Sequence, residues 1–146
     1  MPATHADAPR HLAAYALCWD PEDRLLLVRM SAGPDRGRWT LPGGGVEWGE
    51  HPDRALVREL HEEAGLVGVA PGRVVAVYSH TYPRGGARPV GLHHVGLVYE
   101  VRSEDVALRS EQDGSTDRCA WFTATEARAL PLTPSGEFGV RLAWPG

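Results

Sequence analysis

Apolar runs separated by short polar clusters predict that this chain is built mainly from β-strands. Residues 11–19 and 24–30 are apolar runs on either side of a turn cluster, DPED at 20–23, so the second run is expected to return along the first as a hairpin. Polar segments that contain Gly, Pro or Ser are expected to be loops. Further strands are predicted at 73–82, 92–102 and 119–122.

Helical signals are confined to two segments. Pro52 is acceptable only in the first turn of a helix, and Gly65 suits a C-terminal cap, so a helix is predicted from about residue 51 to residue 64. The tetrapeptide TATE at 123–126 has the spacing of a capping box and should open a short second helix that ends before Pro131. Residues 1–10 are predicted to form a flexible N-terminal tail, which leaves residues 11–146 as a single domain.

Composition and charge limit the classes of protein that fit. The formal net charge of -4, from 19 acidic against 15 basic residues, gives no broad basic face for a nucleic acid. The chain has neither a leader-like N-terminus nor a run of about 18 apolar residues, so a cytoplasmic protein without a membrane partner is expected. Cys18 and Cys119 lack the spacing of a zinc site and are predicted to be small apolar residues in strands.

The most specific pattern lies between residues 44 and 66, GGVEWGEHPDRALVRELHEEAGL. It matches the template G-x5-E-x7-R-E-U-x-E-E-x-G-U, where U is a bulky aliphatic residue. The matching residues are Gly44, Glu50, Arg58, Glu59, Leu60, Glu62, Glu63, Gly65 and Leu66. Nine such matches arise by chance on the order of 10⁻¹⁰ per starting position. The segment therefore resembles a complete Nudix box.

This resemblance implies a fold and an activity. The Nudix fold is an α/β/α sandwich with a mixed central β-sheet, which agrees with the predicted mixture of many strands and two helices. Members of the family are metal-dependent pyrophosphohydrolases that cleave a nucleoside diphosphate linked to a further group. A small-molecule nucleotide substrate and a divalent cofactor, Mg²⁺ or Mn²⁺, are therefore expected. A homodimer is possible, since many relatives pair.

Helical spacing places three carboxylates of the box beside the apolar stripe of the predicted helix. At about 100° per residue, the stripe and the acidic arc are adjacent. The stripe contains Leu56, Val57, Leu60 and Ala64, and the acidic arc contains Glu59, Glu62 and Glu63. Like charges held at the seam repel, and a divalent cation would remove that cost. The alternative is an ordinary solvated face, but the exposed arc instead carries Arg54, Arg58 and His61.

The resemblance also assigns roles to residues of the box. Family members place metal ligands at the positions of Glu59, Glu62 and Glu63, and at the backbone carbonyl of Gly43. Oxygen ligands of this kind suit Mg²⁺ or Mn²⁺. Glu59 is also the position often assigned as the general base, and Arg58 would orient it by a charge-assisted hydrogen bond. The alternative for Arg58 is an ordinary surface ion pair.

Two acidic positions remain open. Glu50 either ligates a further ion or acts as a charge at the N-terminus of the helix. Many family members add one acid from a loop beyond the box, for which the candidates are Glu111, Asp113 and Asp117, with Glu111 preferred. If the general base is Glu111, then Glu59 is purely a ligand.

Substrate-binding residues lie outside the box and are predicted less sharply. Tyr82 or Trp39 could stack on a base, although a core or rim position is the preferred interpretation for each. Arg38 and Arg84, with Arg36 and Arg88 on the same loops, could reach terminal phosphates or could simply be solvated, and Glu47 is a further substrate-site candidate. The adjacent His93 and His94 should point to opposite sheet faces, so one of them could face the pocket, although a structural histidine is the preferred interpretation.

Three readings of the function follow. The leading one is hydrolysis of the P–O–P bond of a nucleoside triphosphate or an ADP-sugar, since the longer signatures of coenzyme A and NADH pyrophosphatases are missing. The alternative is a catalytically weak Nudix-fold effector or sensor module that binds a nucleotide, although such modules usually lose carboxylates that are all present here. Action on the 5′ end of RNA is disfavoured by the acidic net charge.

Overall fold

The computed structural model describes residues 8–85 and 91–146. In chain order the strands and helices are β1 Arg10–Trp19, β2 Leu25–Met30, β3 Trp39–Thr40, β4 Gly43–Gly45, α1 Pro52–Ala64, β5 Val74–Tyr82, β6 Leu92–Arg102, β7 Thr116–Phe122, α2 Ala124–Arg128 and α3 Pro134–Ala143. The predicted tail, residues 1–10, falls mostly outside the described part, and its last residue belongs to β1. Among the described helices, none is both long enough and apolar enough to cross a membrane.

The seven strands form one mixed sheet, which confirms the predicted fold class. The main path of neighbouring strands is β3-β2-β1-β6-β5, with β4 added to β1 and β7 added to β2. Strands β1 and β6 are parallel and paired from Arg10 with His93 to Trp19 with Arg102. Strands β5 and β6 form an antiparallel pair.

The predicted hairpin of the first two strands is correct at its turn and wrong along its length. Asp20 is buried and its side chain accepts hydrogen bonds from the amides of Glu22 and Arg24 at 2.9 and 2.8 Å, so it holds the turn. Strands β1 and β2 are paired at Trp19 and Leu25. Beyond that point β1 pairs with β4 and β6, while β2 pairs with β3 and β7. These other partners occupy the strand edges that the hairpin would have used.

Each face of the sheet carries a core, because alternate residues of β1 point to opposite faces. On one face Ala14, Ala16 and Cys18 pack with apolar residues of α1. On the other face Ala13, Tyr15 and Leu17 pack in a cluster that includes residues of α2 and α3. Cys18 and Cys119 are buried in β1 and β7, as predicted. The result is helices on both faces of a mixed sheet.

Helix α1 begins and ends where predicted, but the buried arc is rotated from the expected one. His51 caps the helix by accepting from the amide of Asp53 at 3.1 Å, and Gly65 ends it at φ 73°. The buried residues are Ala55, Leu56, Leu60, Glu63 and Ala64. Val57, predicted to be in the stripe, is 37% exposed. Because the arc turns toward Ala55, it includes the carboxylate of Glu63.

Besides the short strand β3, two elements were missed by the sequence analysis. Helix α3 carries the same signals as α1, since Thr133 caps it by accepting from the amide of Gly136 at 2.9 Å and Pro134 occupies its first turn. Its glycines lower helix propensity, but they permit close packing. A Cβ on Gly139 would lie 2.5 Å from the side chain of Leu41. The second missed element is β4, which is made of three glycines and pairs with β1.

Candidate active site

Glu63 is the most unusual group in the box, because its carboxylate is almost completely buried. The residue is 2% exposed, and its Oε1 accepts a 2.7 Å hydrogen bond from the amide of Gly43. Burial raises the pKa of Glu63 well above its usual range, and the charges of Glu59, Glu111 and Glu62 raise it further against the effect of the Gly43 amide. A carboxylate in this environment is stabilised either by a proton or by a cation.

Arg58 does not lie on an exposed arc, as the helical wheel predicted, but connects the box to the glycine strand. Its Nε and Nη2 donate to the two carboxylate oxygens of Glu50 at 3.0 and 2.9 Å. Nη1 donates to Glu59 at 3.0 Å, and Nη2 also donates to the carbonyl oxygen of Gly45 at 3.0 Å. The guanidinium therefore holds helix α1, strand β4 and the intervening loop in one arrangement. The predicted contact between Arg58 and Glu59 is present, and the orienting role remains a prediction.

Glu50 is engaged by Arg58 through both of its oxygens, a use that neither sequence alternative included. Hydrogen bonds from Arg58 and from the Glu47 amide lower the pKa of Glu50 to about 2. Glu50 therefore remains charged over the whole useful pH range. In the structure, the carboxylate of Glu50 anchors the guanidinium of Arg58.

The pKa of Glu59 is subject to opposing effects. Its burial raises the pKa, the ion pair with Arg58 lowers it, and the charges of Glu62 and Glu111 raise it again, so that the pKa lies above the usual value. A raised pKa brings a carboxylate closer to the range in which it accepts a proton at neutral pH. This property suits the predicted base, and it also suits a ligand that is completed by a cation.

Each glycine of β4 is required by a different neighbour. Gly43 has a φ of 141°, and a Cβ there would collide with the backbone of Ala14 in β1. A Cβ on Gly44 would lie 2.7 Å from Oε1 of Glu59, and one on Gly45 would lie 2.8 Å from the ring of His11. Gly44 therefore leaves space for the carboxylate of Glu59, and Gly45 leaves space for the imidazole of His11.

Among the three loop acids, Glu111 is the one that the structure brings to the box. Its charge acts on both Glu59 and Glu63, and its Oε2 accepts from the hydroxyl of Thr116 at 3.0 Å. Asp117 is instead paired with Arg29 at 2.9 Å. Asp113 is exposed in a turn with a φ of 56°. This placement supports the preference for Glu111, while its role as ligand or base remains a prediction.

The carboxylates fit a hard cation by their chemistry. Every candidate donor is oxygen, Glu63 is buried among like charges, and Glu62 is 47% exposed beside them. Over residues 8–85 and 91–146, no three acidic, histidine or cysteine side chains are gathered closely enough to hold an ion in this conformation. In this conformation Glu59 is held by Arg58 and Glu63 by Gly43.

A cleft of about 310 Å³ opens above Gly43, Gly44 and Glu63. Its lining combines aromatic rings, hydroxyl groups and two carboxylates. The aromatic residues are His11, Tyr15, Tyr82 and His94, and the polar residues include Asp35, Thr40, Thr133 and Ser135. A larger groove of about 750 Å³ lies between α2 and α3 and contains no residue of the box. The smaller cleft is therefore the candidate active site.

The structure separates the predicted substrate residues. Tyr82 lines the cleft. Trp39 does not, because it is 7% exposed and its ring packs edge-on against Phe122 with centroids 5.0 Å apart, so its suggested stacking role is replaced by a place in the core. Arg38 and Arg84 are exposed and do not line the cleft, and Glu47 is exposed with its carboxylate 3.9 Å from Arg58.

The histidine prediction has a clear outcome. His94 faces the cleft, while His93 points away and its Nε2 is 2.9 Å from the hydroxyl of Ser79. His11 and Tyr15 also line the cleft and were not predicted. Their positions four residues apart on one strand were a usable signal, but only with the knowledge that β1 lies beside β6. Arg88 lies outside the described residues.

Comparison with known proteins identifies the family. The NUDIX domain model matches residues 9–139, so the chain belongs to the Nudix hydrolase family. Diphosphoinositol polyphosphate phosphohydrolase 3-alpha of Mus musculus is 47% identical over 116 residues, which cover 78% of this chain. The chain spans 65% of the length of that relative. Nudix hydrolases generally use a divalent metal.

Solved structures agree with this assignment. A MutT NUDIX hydrolase from Burkholderia pseudomallei superposes with a TM-score of 0.72 and 27% identity, covering 90% of this chain and 96% of the other. The NUDIX domain of Shewanella oneidensis NrtR complexed with ADP ribose superposes with a TM-score of 0.72 at 20% identity, covering 92% and 86% of the two chains. The second likeness supports the fold alone.

Proposed function

We propose that this chain is a Nudix pyrophosphohydrolase that uses Mg²⁺ or Mn²⁺ to hydrolyse the diphosphate linkage of a nucleoside diphosphate derivative, of the nucleoside triphosphate or ADP-sugar type. One observation carries the proposal. Glu63 is buried at the floor of the cleft among Glu59, Glu62 and Glu111, where one backbone amide offsets its charge. A cation bound there would balance these charges and bring the diphosphate to the same place.

The residues of the chain divide the work of the reaction. Glu59, Glu62, Glu63 and Glu111, with the Gly43 carbonyl, would hold the cation. When bound, a divalent cation neutralises the diphosphate and lowers the pKa of an attacking water. Glu59 or Glu111 accepts the proton of that water as its oxygen forms a bond to phosphorus. The bridging P–O bond breaks, and its electron pair leaves with the departing phosphate.

Arg58 contributes by positioning. It holds Glu59 through Nη1 while Nε and Nη2 remain bound to Glu50. A guanidinium with several fixed acceptors limits the rotation of the carboxylate that it contacts. Glu59 is therefore held by a guanidinium that Glu50 itself fixes in place.

A second candidate substrate is a diphosphoinositol polyphosphate. The 47% identity to the mouse phosphohydrolase favours it, and its diphosphate contains the same type of bond. Against it, the described residues that line the cleft include no Arg or Lys to bind a densely phosphorylated ring. The nucleotide assignment is supported by the aromatic side chains that line the cleft.

A sensor module, the alternative function, would bind the nucleotide as the enzyme does but would not hydrolyse it. All the box carboxylates are present, and Arg58 and Gly44 accommodate Glu59 closely. A site that only binds a nucleotide would not require a buried acidic group beside the cleft. This arrangement favours hydrolysis.

A substrate panel tests the proposal. Nucleoside triphosphates, ADP-ribose, NADH, Ap4A and a diphosphoinositol polyphosphate would be incubated with Mg²⁺ or Mn²⁺, and the phosphorus-containing products identified by ³¹P NMR. We expect hydrolysis of at least one nucleotide and no reaction in excess EDTA. Turnover of the inositol compound alone would overturn the nucleotide assignment. Saturable nucleotide binding without any turnover would favour the sensor module.

A further inference from the structure

The register between β2 and β7 shifts by one residue beside the cleft. Arg29 is opposite Arg118. The next pair is Met30 with Thr116, so Asp117 is an extra residue on β7. A β-bulge of this kind changes the direction of the side chains that precede it. Without the extra residue, Asp117 would lie opposite Met30 and point to the cleft. Thr116 takes that place, and Asp117 pairs with Arg29.

The hydroxyl of Thr116 holds the carboxylate of Glu111. Thr116 is 2% exposed, and its Oγ1 donates to Oε2 of Glu111 at 3.0 Å. The charge of this carboxylate acts on both Glu59 and Glu63. Because like charges repel, a flexible side chain does not keep a third carboxylate beside two others without a partner. Thr116 supplies that partner from a buried position in a strand.

The turn that follows Glu111 is fastened to the end of β2. Oγ of Ser31 donates to the carbonyl oxygen of Gly114 at 2.6 Å, and the amide of Ser31 donates to the carbonyl oxygen of Ser115 at 3.0 Å. A Cβ on Gly114 would collide with the carboxylate of Glu111. Glycine at this position therefore allows the turn to close over the carboxylate that Thr116 holds.

The partners of Glu59 and Glu111 differ in charge. Arg58 donates to Glu59 at 3.0 Å and opposes its negative charge. A threonine hydroxyl, in contrast, orients a carboxylate without carrying a positive charge. The hydrogen bond from Thr116 therefore fixes Glu111 and leaves its charge available to a cation or a proton.

We propose that Thr116 is a positioning residue, which with the turn fastened by Ser31 directs the carboxylate of Glu111 toward Glu63. The inference rests on the proposed function, in which Glu111 either ligates the cation or accepts the proton of the attacking water. Hydrogen-bond partners of a metal-ligating carboxylate orient it, and loss of such a partner typically costs about 10- to 100-fold in metal affinity or activity.

Two substitutions at Thr116 test this role. Thr116→Val removes the hydroxyl and keeps the branched shape, while Thr116→Ser keeps the donor. We expect Thr116→Val to lose at least about tenfold in Mn²⁺ affinity, measured without substrate by electron paramagnetic resonance, or in kcat with a nucleotide. Thr116→Ser should behave as the wild type. So should Ser103→Ala, the matched control, which removes a buried hydroxyl that donates to the carbonyl oxygen of Asp105 at 2.8 Å.

A double-mutant cycle separates positioning from general destabilisation. Glu111→Ala removes the carboxylate that Thr116 holds, so adding Thr116→Val to it should cause little further loss of Mn²⁺ affinity or kcat. Equal losses in both backgrounds would overturn the inference. It would also be overturned by a folded Thr116→Val protein with the Mn²⁺ affinity and kcat of the wild type. Melting curves show whether each variant folds.

Gly114→Ala provides an independent test if Thr116→Val does not fold. Its Cβ would displace the carboxylate of Glu111 and leave Thr116 in place. We expect the same loss as for Thr116→Val, and no further loss when it is combined with Glu111→Ala. Unchanged Mn²⁺ affinity and kcat in Gly114→Ala would overturn the inference.

Failure of the proposed function has a different result. If the wild type turns over no nucleotide, the proposed function fails, and the Mn²⁺ affinities of the same variants still test the position of Glu111. If the wild type turns over a nucleotide and the variants match it, Thr116 has no positioning role while hydrolysis stands.

Discussion

The amide of Gly43 donates a 2.7 Å hydrogen bond to Oε1 of Glu63, and this contact joins strand β4 to helix α1 at the floor of the cleft. The bond positions a nearly inaccessible carboxylate beside three other acidic side chains. A single amide offsets little of the cost of burying a charge. This contact is the structural reason for placing a cation, and hence the diphosphate, at this end of the cleft.

Replacing Glu62 with Gln should lower kcat by at least about 10²-fold, because the substitution removes an anionic ligand while it preserves the shape of the side chain. Glu62 is half exposed on α1, so the melting temperature should change little. The matched control is Glu137→Gln, which neutralises an exposed glutamate of α3 paired with Arg141. Steady-state kinetics of both variants check this prediction, and an unimpaired Glu62→Gln enzyme contradicts it.

The general base should be identified by comparing Glu59→Gln with Glu111→Gln. Both carboxylates lie near Glu63, and burial raises the pKa of Glu59, which favours its acceptance of a proton near neutral pH. We expect Glu59→Gln to lose the acidic limb of the pH–rate profile, and Glu111→Gln to keep that limb at reduced rate. The profiles must be recorded at saturating metal. The reverse pattern would assign the base to Glu111.

Glu63→Gln should stabilise the metal-free protein at neutral pH. Burial raises the pKa of Glu63 in the folded state above its unfolded value, so its favourable contribution is complete below the unfolded pKa and is lost as the pH rises through the folded pKa. Glutamine can still accept from Gly43 and carries no charge to bury.

Thermal unfolding in EDTA measures this effect. We expect the variant to exceed the wild-type Tm at neutral pH by about 3 °C, and the difference to disappear toward pH 4. Adding Mg²⁺ should raise the Tm of the wild type more than that of Glu63→Gln. A variant that is less stable than the wild type at every pH would show that Glu63 is already compensated by the protein.

Gly44→Ala should impair catalysis through Glu59. The added Cβ would lie 2.7 Å from Oε1 of Glu59, so the carboxylate must move away from its contact with Arg58. A misplaced catalytic group costs about 10²-fold in rate, and we expect a loss of kcat of that order with a smaller effect on KM. Metal titrations would show whether cation affinity falls as well. Unchanged kinetics would mean that Glu59 tolerates displacement.

The local signals in the sequence were sufficient for α1 and its carboxylates. Pro52, Gly65 and the spacing of Glu59, Glu62 and Glu63 define one helix, and short-range spacing is converted directly into helix geometry. The rotation that buries Glu63 and exposes Val57 was not predictable in the same way. It depends on how the helix packs against the sheet, which is a property of distant residues.

The aromatic lining of the cleft depended still more on tertiary structure. His11 and His94 are paired because β1 and β6 are parallel neighbours in the sheet. The hydrogen bond between Tyr15 and His94 likewise joins residues that are 79 positions apart in the sequence. Helix α3 was a different kind of omission. Its cap at Thr133 and its Pro134 could be recognised from the sequence. Gly136 and Gly139 permit close packing, but they lower helix propensity and so weakened the helical pattern.

A titration with Mn²⁺, followed by the electron paramagnetic resonance signal of the free ion, tests the central claim most directly. The wild-type protein should bind the ion saturably, and Glu63→Gln should bind it at least about tenfold more weakly because a buried ligand has lost its charge. Glu137→Gln should match the wild type. Absence of saturable binding by the wild type, or equal affinity in Glu63→Gln, would contradict the assignment of these carboxylates to a metal site.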